Sequence, residues 1–313
     1  MLVLKKKGCG RLCPYKSRTE SNELLILRSL NNRMNLSDKD KQYYFYLEKG
    51  FDGEKTFDLL TENLQCECLI VNDLLLKQNN TLFQIDSLII TQESVYLFEV
   101  KNYEGDYYYD SEGFYKISNS EITNPFNQLI RSESLLRRLF QNLGFNLPIH
   151  ASVVFINPEF TLYQTPLNIP FIFPTQMNRY LSKLNTTPSK LNAKHKMLAD
   201  KLVSLHITDS PFKMLPTYDY DILQKGITCA KCTSFSVAIE GRKCVCKECW
   251  HEEVVTGAVL RSAKEYKLLF PNRRITTNEM YNWCIAIDSK RRISKILQRN
   301  FKRVGVRQWT YYE

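Results

Sequence analysis

Nowhere in the 313 residues does an apolar run reach the roughly 18 residues of a membrane-spanning helix, so no such span is expected. An export signal is not expected either, because the lysines of residues 1–7 are not followed by an apolar core and a small-residue cleavage site. Glycine and proline are sparse at 11 each, which excludes a collagen-like chain, and 43% hydrophobic against 24% charged residues excludes a disordered one. No internal repeat is visible. What the chain does have is length for two or three domains, and ten cysteines. Several of these stand in Cys-x2-Cys spacing, which points to thiolate metal ligands in a reducing compartment rather than to disulfides; the expected location is cytoplasmic.

Charge is unevenly spread. The formal net charge is +10, yet residues 1–225 hold 26 Lys and Arg against 25 Asp and Glu, while those from Gly226 onward hold 17 against 8. So basic a C-terminal segment implies a polyanionic partner, and the near-neutral remainder implies a different task.

Hydrophobic spacing predicts two helical stretches within 18–49, the second capped at Ser37, with Gly50 and Gly53 interrupting the chain before an amphipathic helix over 54–63 that buries Phe57, Leu60 and Leu64. Apolar runs at 69–76, 82–91 and 94–100 predict a β-meander, and 107–117 a further hairpin. A long helix follows over 124–142. Residues 151–156 then read as a strand buried on both faces. Residues 157–225 hold a strand at 171–173, two helices and a linker through Pro211 and Pro216. Helix, three strands, helix, strand implies an α/β sheet flanked by helices.

Asp86 lies inside one apolar strand, and the next carries Phe98-Glu99-Val100-Lys101. Because strand side chains alternate, Glu99 and Lys101 share a face while Phe98 and Val100 enter the core; antiparallel pairing of the two strands places Asp86 beside Glu99. Two carboxylates and an ammonium at one point suit a hard divalent cation and an attacking water. The same spacing also fits a Glu/Lys ion pair on a half-exposed strand.

The ordered motifs Gln84-Ile85-Asp86, Phe98-Glu99-Val100-Lys101-Asn102-Tyr103 with Gly105, and Asn124-Pro125-x-x-Gln128 resemble the NERD (nuclease-related) domain of the PD-(D/E)xK nuclease superfamily. Gly53-Glu54 matches that family's upstream glycine and acid, so the resemblance covers about 50–160. It implies a restriction-endonuclease-like, four-stranded mixed sheet flanked by helices, Asp86 and Glu99 as ligands of Mg2+ or Mn2+, and Lys101 as the water-orienting residue. Glu54 would be an auxiliary acid and Gln128 a support from the long helix. Glu54 also reads as a favourable helix N-terminal acid, and Gln128 as a cap or loop bridge. Asp86 follows isoleucine rather than proline, which is usual within this branch.

Cys229-x2-Cys232 and Cys246-x2-Cys249, 13 residues apart, have the spacing of a zinc ribbon, whose Zn2+ would supply much of the stability of about 30 residues too few to form their own core. Cys244 can replace Cys246, and His251 can replace Cys249, though spacing favours the cysteines at 246 and 249. Cys9-x3-Cys13 is a weaker metal or redox pair.

Beyond the ribbon, Thr276-Thr277-Asn278-Glu279 starts a helix that buries Met280, Trp283, Cys284 and Ile287. After a break at 288–289 a second helix is expected to run to Gly305. On a helical wheel Arg291, Arg292, Lys295, Arg299, Lys302 and Arg303 fall within about 120° of arc, opposite Ile293, Ile296, Leu297, Phe301 and Val304. This resembles a helix-turn-helix whose second helix enters a DNA groove. A solvated basic face, an acidic protein partner or an anionic membrane surface fits the same pattern.

The expected organisation is therefore 1–49 helical, 50–160 nuclease-like, 161–225 an α/β extension with linker, 226–256 a zinc ribbon and 257–313 a basic docking segment. The expected function is metal-dependent hydrolysis of nucleic acid, DNA in the first instance; the alternative is a nucleic-acid-binding or regulatory protein that keeps the fold without cutting.

Overall fold

The computed structural model describes residues 12–110, 113–118 and 120–313, so Cys9 of the Cys9-x3-Cys13 pair lies outside the described residues. The chain divides into two compact units: the residues up to Glu20 with Phe45–Phe212, and Ser21–Tyr44 with Lys213–Glu313. Two helices come first, α1 (Asn22–Arg33) and α2 (Asp38–Thr61); α2 counts with the second unit up to Tyr44 and with the first from Phe45.

The helix boundary expected at Gly50 and Gly53 is not there, for α2 runs through both glycines. A helical glycine costs about 1 kcal/mol relative to alanine. At Gly53 that cost is offset because a Cβ would run into the side chain of Asn102. Asn102 donates its side-chain N–H to the carbonyl of Lys49 at 2.7 Å. Glu54 is consequently mid-helix rather than an N-terminal acid, and its helix is fastened to the chain just beyond Lys101.

In the first unit, β1 (Leu69–Gln78), β2 (Thr81–Ile90) and β3 (Val95–Lys101) form an antiparallel meander. The turn between β1 and β2 uses Asn79 and Asn80, both at positive φ, a backbone region that asparagine tolerates. A second sheet is formed by β4 (Gly105–Tyr109), β5 (Phe114–Lys116), β6 (Glu121–Ile122) and β8 (Phe160–Tyr163), in the order β6-β5-β4-β8. The helix α3 (Pro125–Asn142) is capped by Asn124 and has proline in its first turn; it leads to β7 (Ile149–Phe155), which pairs parallel with β3. β9 (Phe171–Ile172) extends the main sheet to β1-β2-β3-β7-β9, so this mixed sheet has five strands rather than the four implied, the fifth coming from beyond residue 160.

Helices cover both faces of that sheet. Leu129, Leu136 and Leu139 of α3, with Leu198 and Leu202 of α5 (Ala193–Ser204), pack on Val71, Leu88 and Val153. Phe57 of α2, with Met177, Leu181 and Leu184 of α4 (Met177–Asn185), packs on Ile70, Ile89, Phe98 and Val100.

The second unit has its own core, in which Trp283, Tyr266, Leu30, Ile293 and Leu297 are buried. Its ribbon is β10 (Val237–Glu240), β11 (Lys243–Cys246) and β12 (Glu252–Val254), turning at Gly241 with φ 59°. Next comes α6 (Val255–Leu269), a helix that the spacing did not reveal, then α7 (Thr277–Trp283), capped by Thr276, and α8 (Lys290–Asn300). The buried Arg33 clamps α1 to α6 through Glu265 and lies 4.1 Å over the Trp283 ring.

The expected helix to Gly305 ends early. Phe301 caps α8 with an extended backbone, and β13 (Arg303–Val304) turns back to pair with β14 (Tyr311–Tyr312). Gly305 sits in that turn at φ 81°, where a Cβ would meet the Trp309 carbonyl. Lys302 and Arg303 therefore lie beyond the helix, not on its face. Ile275 bridges to Tyr312, so three helices and a small hairpin make one assembly. Among the described residues no helix is long and apolar enough to cross a membrane.

Candidate active site

β2 and β3 meet in a register that pairs Ser87 with Phe98; continued by one residue, it sets Asp86 opposite Glu99. Both carboxylates are buried, Asp86 at 7% and Glu99 at 8% exposure. Asp86 Oδ2 accepts the backbone N–H of Val100 at 2.8 Å, and Lys101 Nζ lies 2.8 Å from Glu99 Oε1. Glu54 reaches the same place from α2. Gln128 is exposed near the start of α3 and makes no hydrogen bond to these four residues.

The charges interact. Burial, then the Glu99 and Glu54 carboxylates, push Asp86 well above the usual carboxylate range, against the opposing pull of Lys101 and the Val100 N–H. Burial also pushes Glu54 up to about 7, with Asp73, Asp58 and Glu99 adding to it and the Arg18 guanidinium opposing. Lys101 moves the other way: burial alone would lower it, but Glu99, Tyr103 and Asp86 outweigh that and raise it to about 12. Buried acids that resist ionisation next to a firmly charged ammonium have room for more positive charge, which a divalent cation would supply. The donor set, carboxylate oxygens with no thiolate, suits a hard cation such as Mg2+ or Mn2+.

Residues 49–156 match the family described as NERD, nuclease-related domain. The chain carries a nuclease-related domain. No curated protein and no solved structure matches the chain.

The NERD domain holds further charged groups here that spacing did not single out. Asp73 of β1 has φ 55°, a strained backbone for a residue other than glycine, and lies between the pairs Asn72–Ser87 and Leu74–Ile85, which is to say across from Asp86. The kink reverses the strand's alternation, since Leu69 and Val71 before it and Leu74 and Leu76 after it all enter the same core. Lys16 spans the kink, donating to the carbonyls of Asn72 and Asp73 at 2.9 and 2.6 Å. Arg18 binds Glu54 and Asp58. Lys16 precedes the stretch read as helical and Arg18 stands at its first position, outside α1, so spacing assigned neither a role. The aspartate inside the apolar run 69–76 was the one visible signal for Asp73.

In the second unit the sulfurs of Cys229, Cys232, Cys246 and Cys249 all lie within 4.8 Å of one another, the one such group of three or more donors among the described residues. Cys229 and Cys249 are 3.6 Å apart, and Cys232 and Cys246 3.5 Å, close to the edge of about 3.8 Å of a sulfur tetrahedron with Zn–S of about 2.3 Å. Cys244 is buried in the apolar core instead, and His251 contributes its backbone carbonyl to Cys246 N–H. On α8, Arg291, Lys295 and Arg299 are exposed, as are Lys302 and Arg303 beyond it. Arg292 is half-buried and donates to the Gly241 carbonyl of the ribbon at 2.7 Å.

Proposed function

We propose that this chain is a metal-dependent nuclease that hydrolyses the phosphodiester bonds of DNA, and that its second unit docks it on nucleic acid. The observation that carries the reading is the meeting of buried Asp86 and Glu99 with Lys101 on adjacent strands of a nuclease-related domain. Acids outnumber cations around it: Glu54, Asp58, Asp73, Asp86 and Glu99 against Lys16, Arg18 and Lys101. Asp86 and Glu99 would hold Mg2+ or Mn2+, which when bound supplies Lewis-acid polarisation and a water of lowered pKa. Lys101, charged and tethered by Glu99, orients the attacking water with its remaining N–H donors. Glu54 adds negative charge from α2 and accepts from that water. Attack in line on phosphorus needs no covalent intermediate.

Cys229, Cys232, Cys246 and Cys249 would hold a structural Zn2+, because four thiolates leave no open position for catalysis. The cations Arg291, Arg292, Lys295, Arg299, Lys302 and Arg303 would neutralise backbone phosphates and provide the salt-sensitive part of the affinity.

Cleavage of plasmid DNA with Mg2+ or Mn2+ by the wild-type chain beside Asp86→Ala tests the enzyme. The expected result is metal-dependent cleavage that the variant lacks, with DNA binding retained; equal background in both removes hydrolysis. Failure to form a DNA complex at any salt concentration removes the docking role.

A further inference from the structure

Arg18 is a cation of the acidic cluster with no role in hydrolysis as described above. It precedes α1, belongs to the first unit, and its side chain is only 3% exposed. The guanidinium serves three acceptor groups. Nε and Nη2 grip the two oxygens of Asp58 at 2.9 and 3.0 Å, Nη1 binds the carboxylate of Glu54, and Nη2 also reaches the backbone carbonyl of Asp86 at 2.7 Å. Glu54 and Asp58 are four residues apart on α2 and so stand one above the other. One planar group therefore spans a helical turn and ties it to the strand residue that carries the metal-site carboxylate.

Four of the five N–H donors of a guanidinium are committed in this way, which leaves little for a phosphate. Charge acts alongside geometry. A fixed positive group touching Glu54 and the Asp86 carbonyl opposes the arrival of a second cation, and among largely buried side chains such repulsion is weakly screened. We propose that Arg18 is a positioning residue: it sets Glu54 and α2 relative to Asp86, and its permanent charge limits how tightly the acidic cluster grips a divalent ion. This rests on the reading of Asp86 and Glu99 as the cation site. Lysine is no substitute, because an ammonium keeps the charge but lacks the planar fork that bridges Glu54, Asp58 and the Asp86 carbonyl.

The test uses the full chain with its cysteines saturated by zinc, and measures Mn2+ binding from the electron paramagnetic resonance of the free ion. Wild type is compared with Asp86→Asn, Arg18→Met and Arg18→Lys, and turnover of supercoiled plasmid is followed in parallel. Wild type should bind Mn2+ in a way that Asp86→Asn removes. Arg18→Met should bind it tighter, by roughly threefold or more. Its kcat should drop about tenfold, at a KM near wild type. Arg18→Lys should keep the wild-type Mn2+ affinity yet lose turnover, and it keeps the question open to measurement if the methionine variant fails to fold. A purely structural residue would not tighten metal binding when removed. Weaker or unchanged Mn2+ binding in Arg18→Met overturns the charge role, and full turnover in Arg18→Lys overturns the positioning role. A raised KM at unchanged kcat overturns both by making Arg18 a substrate ligand. If wild type shows no Asp86-dependent Mn2+ site at all, the cation reading falls first and this inference with it.

Discussion

The four ribbon sulfurs come from 21 consecutive residues and converge within 4.8 Å, whereas the acids of the first unit come from α2, β1, β2 and β3 and stand among three cations. The sulfur set offers four soft donors at close to tetrahedral spacing. The carboxylate set is buried and already paired with its own cations, Arg18 with Glu54 and Asp58 and Lys101 with Glu99. A structural site gains from fixing an ion; a hydrolytic site must bind an ion and still leave room for water and substrate. The two regions therefore should respond differently to the loss of a ligand.

The largest effect is expected in the ribbon. Cys246→Ser removes one of the four clustered sulfurs, and as a zinc ribbon a module this small would depend on its metal for stability on the order of several kcal/mol. Zinc content should fall from one per chain, and proteolysis should open the segment around 226–256. All three tryptophans, Trp250, Trp283 and Trp309, belong to the second unit, so their fluorescence reports its unfolding separately from the first. In the acidic site the corresponding change should have the opposite sign without Mg2+ or Mn2+. Asp86→Asn keeps an oxygen to accept the Val100 N–H while removing a buried charge, and should raise stability by about 1 kcal/mol. Added Mn2+ should then stabilise wild type by about 2.7 kcal/mol at a hundredfold excess over Kd, and the variant not at all. Circular dichroism melts of zinc-loaded protein, with and without Mn2+, measure both.

The same contrast explains how much was legible beforehand. Cysteine spacing is local and cysteine has few other reasons to recur every third residue, so the cluster could be read directly; the sulfurs that converge are those of Cys246 and Cys249, with Cys244 in the apolar core. Asp86, Glu99 and Lys101 were readable because an acid inside an apolar strand is costly and alternation gives its direction. The rest depended on contacts distant in sequence. Continuity of α2 through Gly53 hinges on Asn102, 49 positions later, and Arg18 meets Asp86 from 68 positions away. The early end of α8 follows from pairing of Arg303 and Val304 with Tyr312 and Tyr311, which helical periodicity cannot register. α6 escapes apolar periodicity because Ala258, Ser262 and Ala263 in the middle of its buried face are small.

A smaller effect should distinguish docking from chemistry. Replacing Lys295 and Arg299 with alanine removes two exposed cations of α8 and should lower the slope of log K against log salt by about 2, weakening binding to every DNA sequence alike. Gel-shift titration over a salt series measures the slope. Unchanged slope would show that these side chains do not meet phosphate, and metal affinity at Asp86 should not move in either case.

In pH the two regions should run in opposite directions. In the folded chain Glu54 is held up to about 7, above its ordinary value of 4.5. The folded state therefore binds this proton more tightly than the unfolded state does. The associated stability is fully present below about pH 4.5 and is lost as pH rises through 7. Without Mg2+ or Mn2+, the first unit should melt lower at pH 8 than at about pH 5.5, and Glu54→Gln should flatten that slope. Thiolates behave inversely, because protons compete with zinc for sulfur, so acidification should release zinc and unfold the second unit, seen as a change in tryptophan emission. A first unit whose stability instead rose with pH would mean that Arg18 holds Glu54 ionised throughout, and the acidic site would then be an ion-paired cluster rather than one short of positive charge.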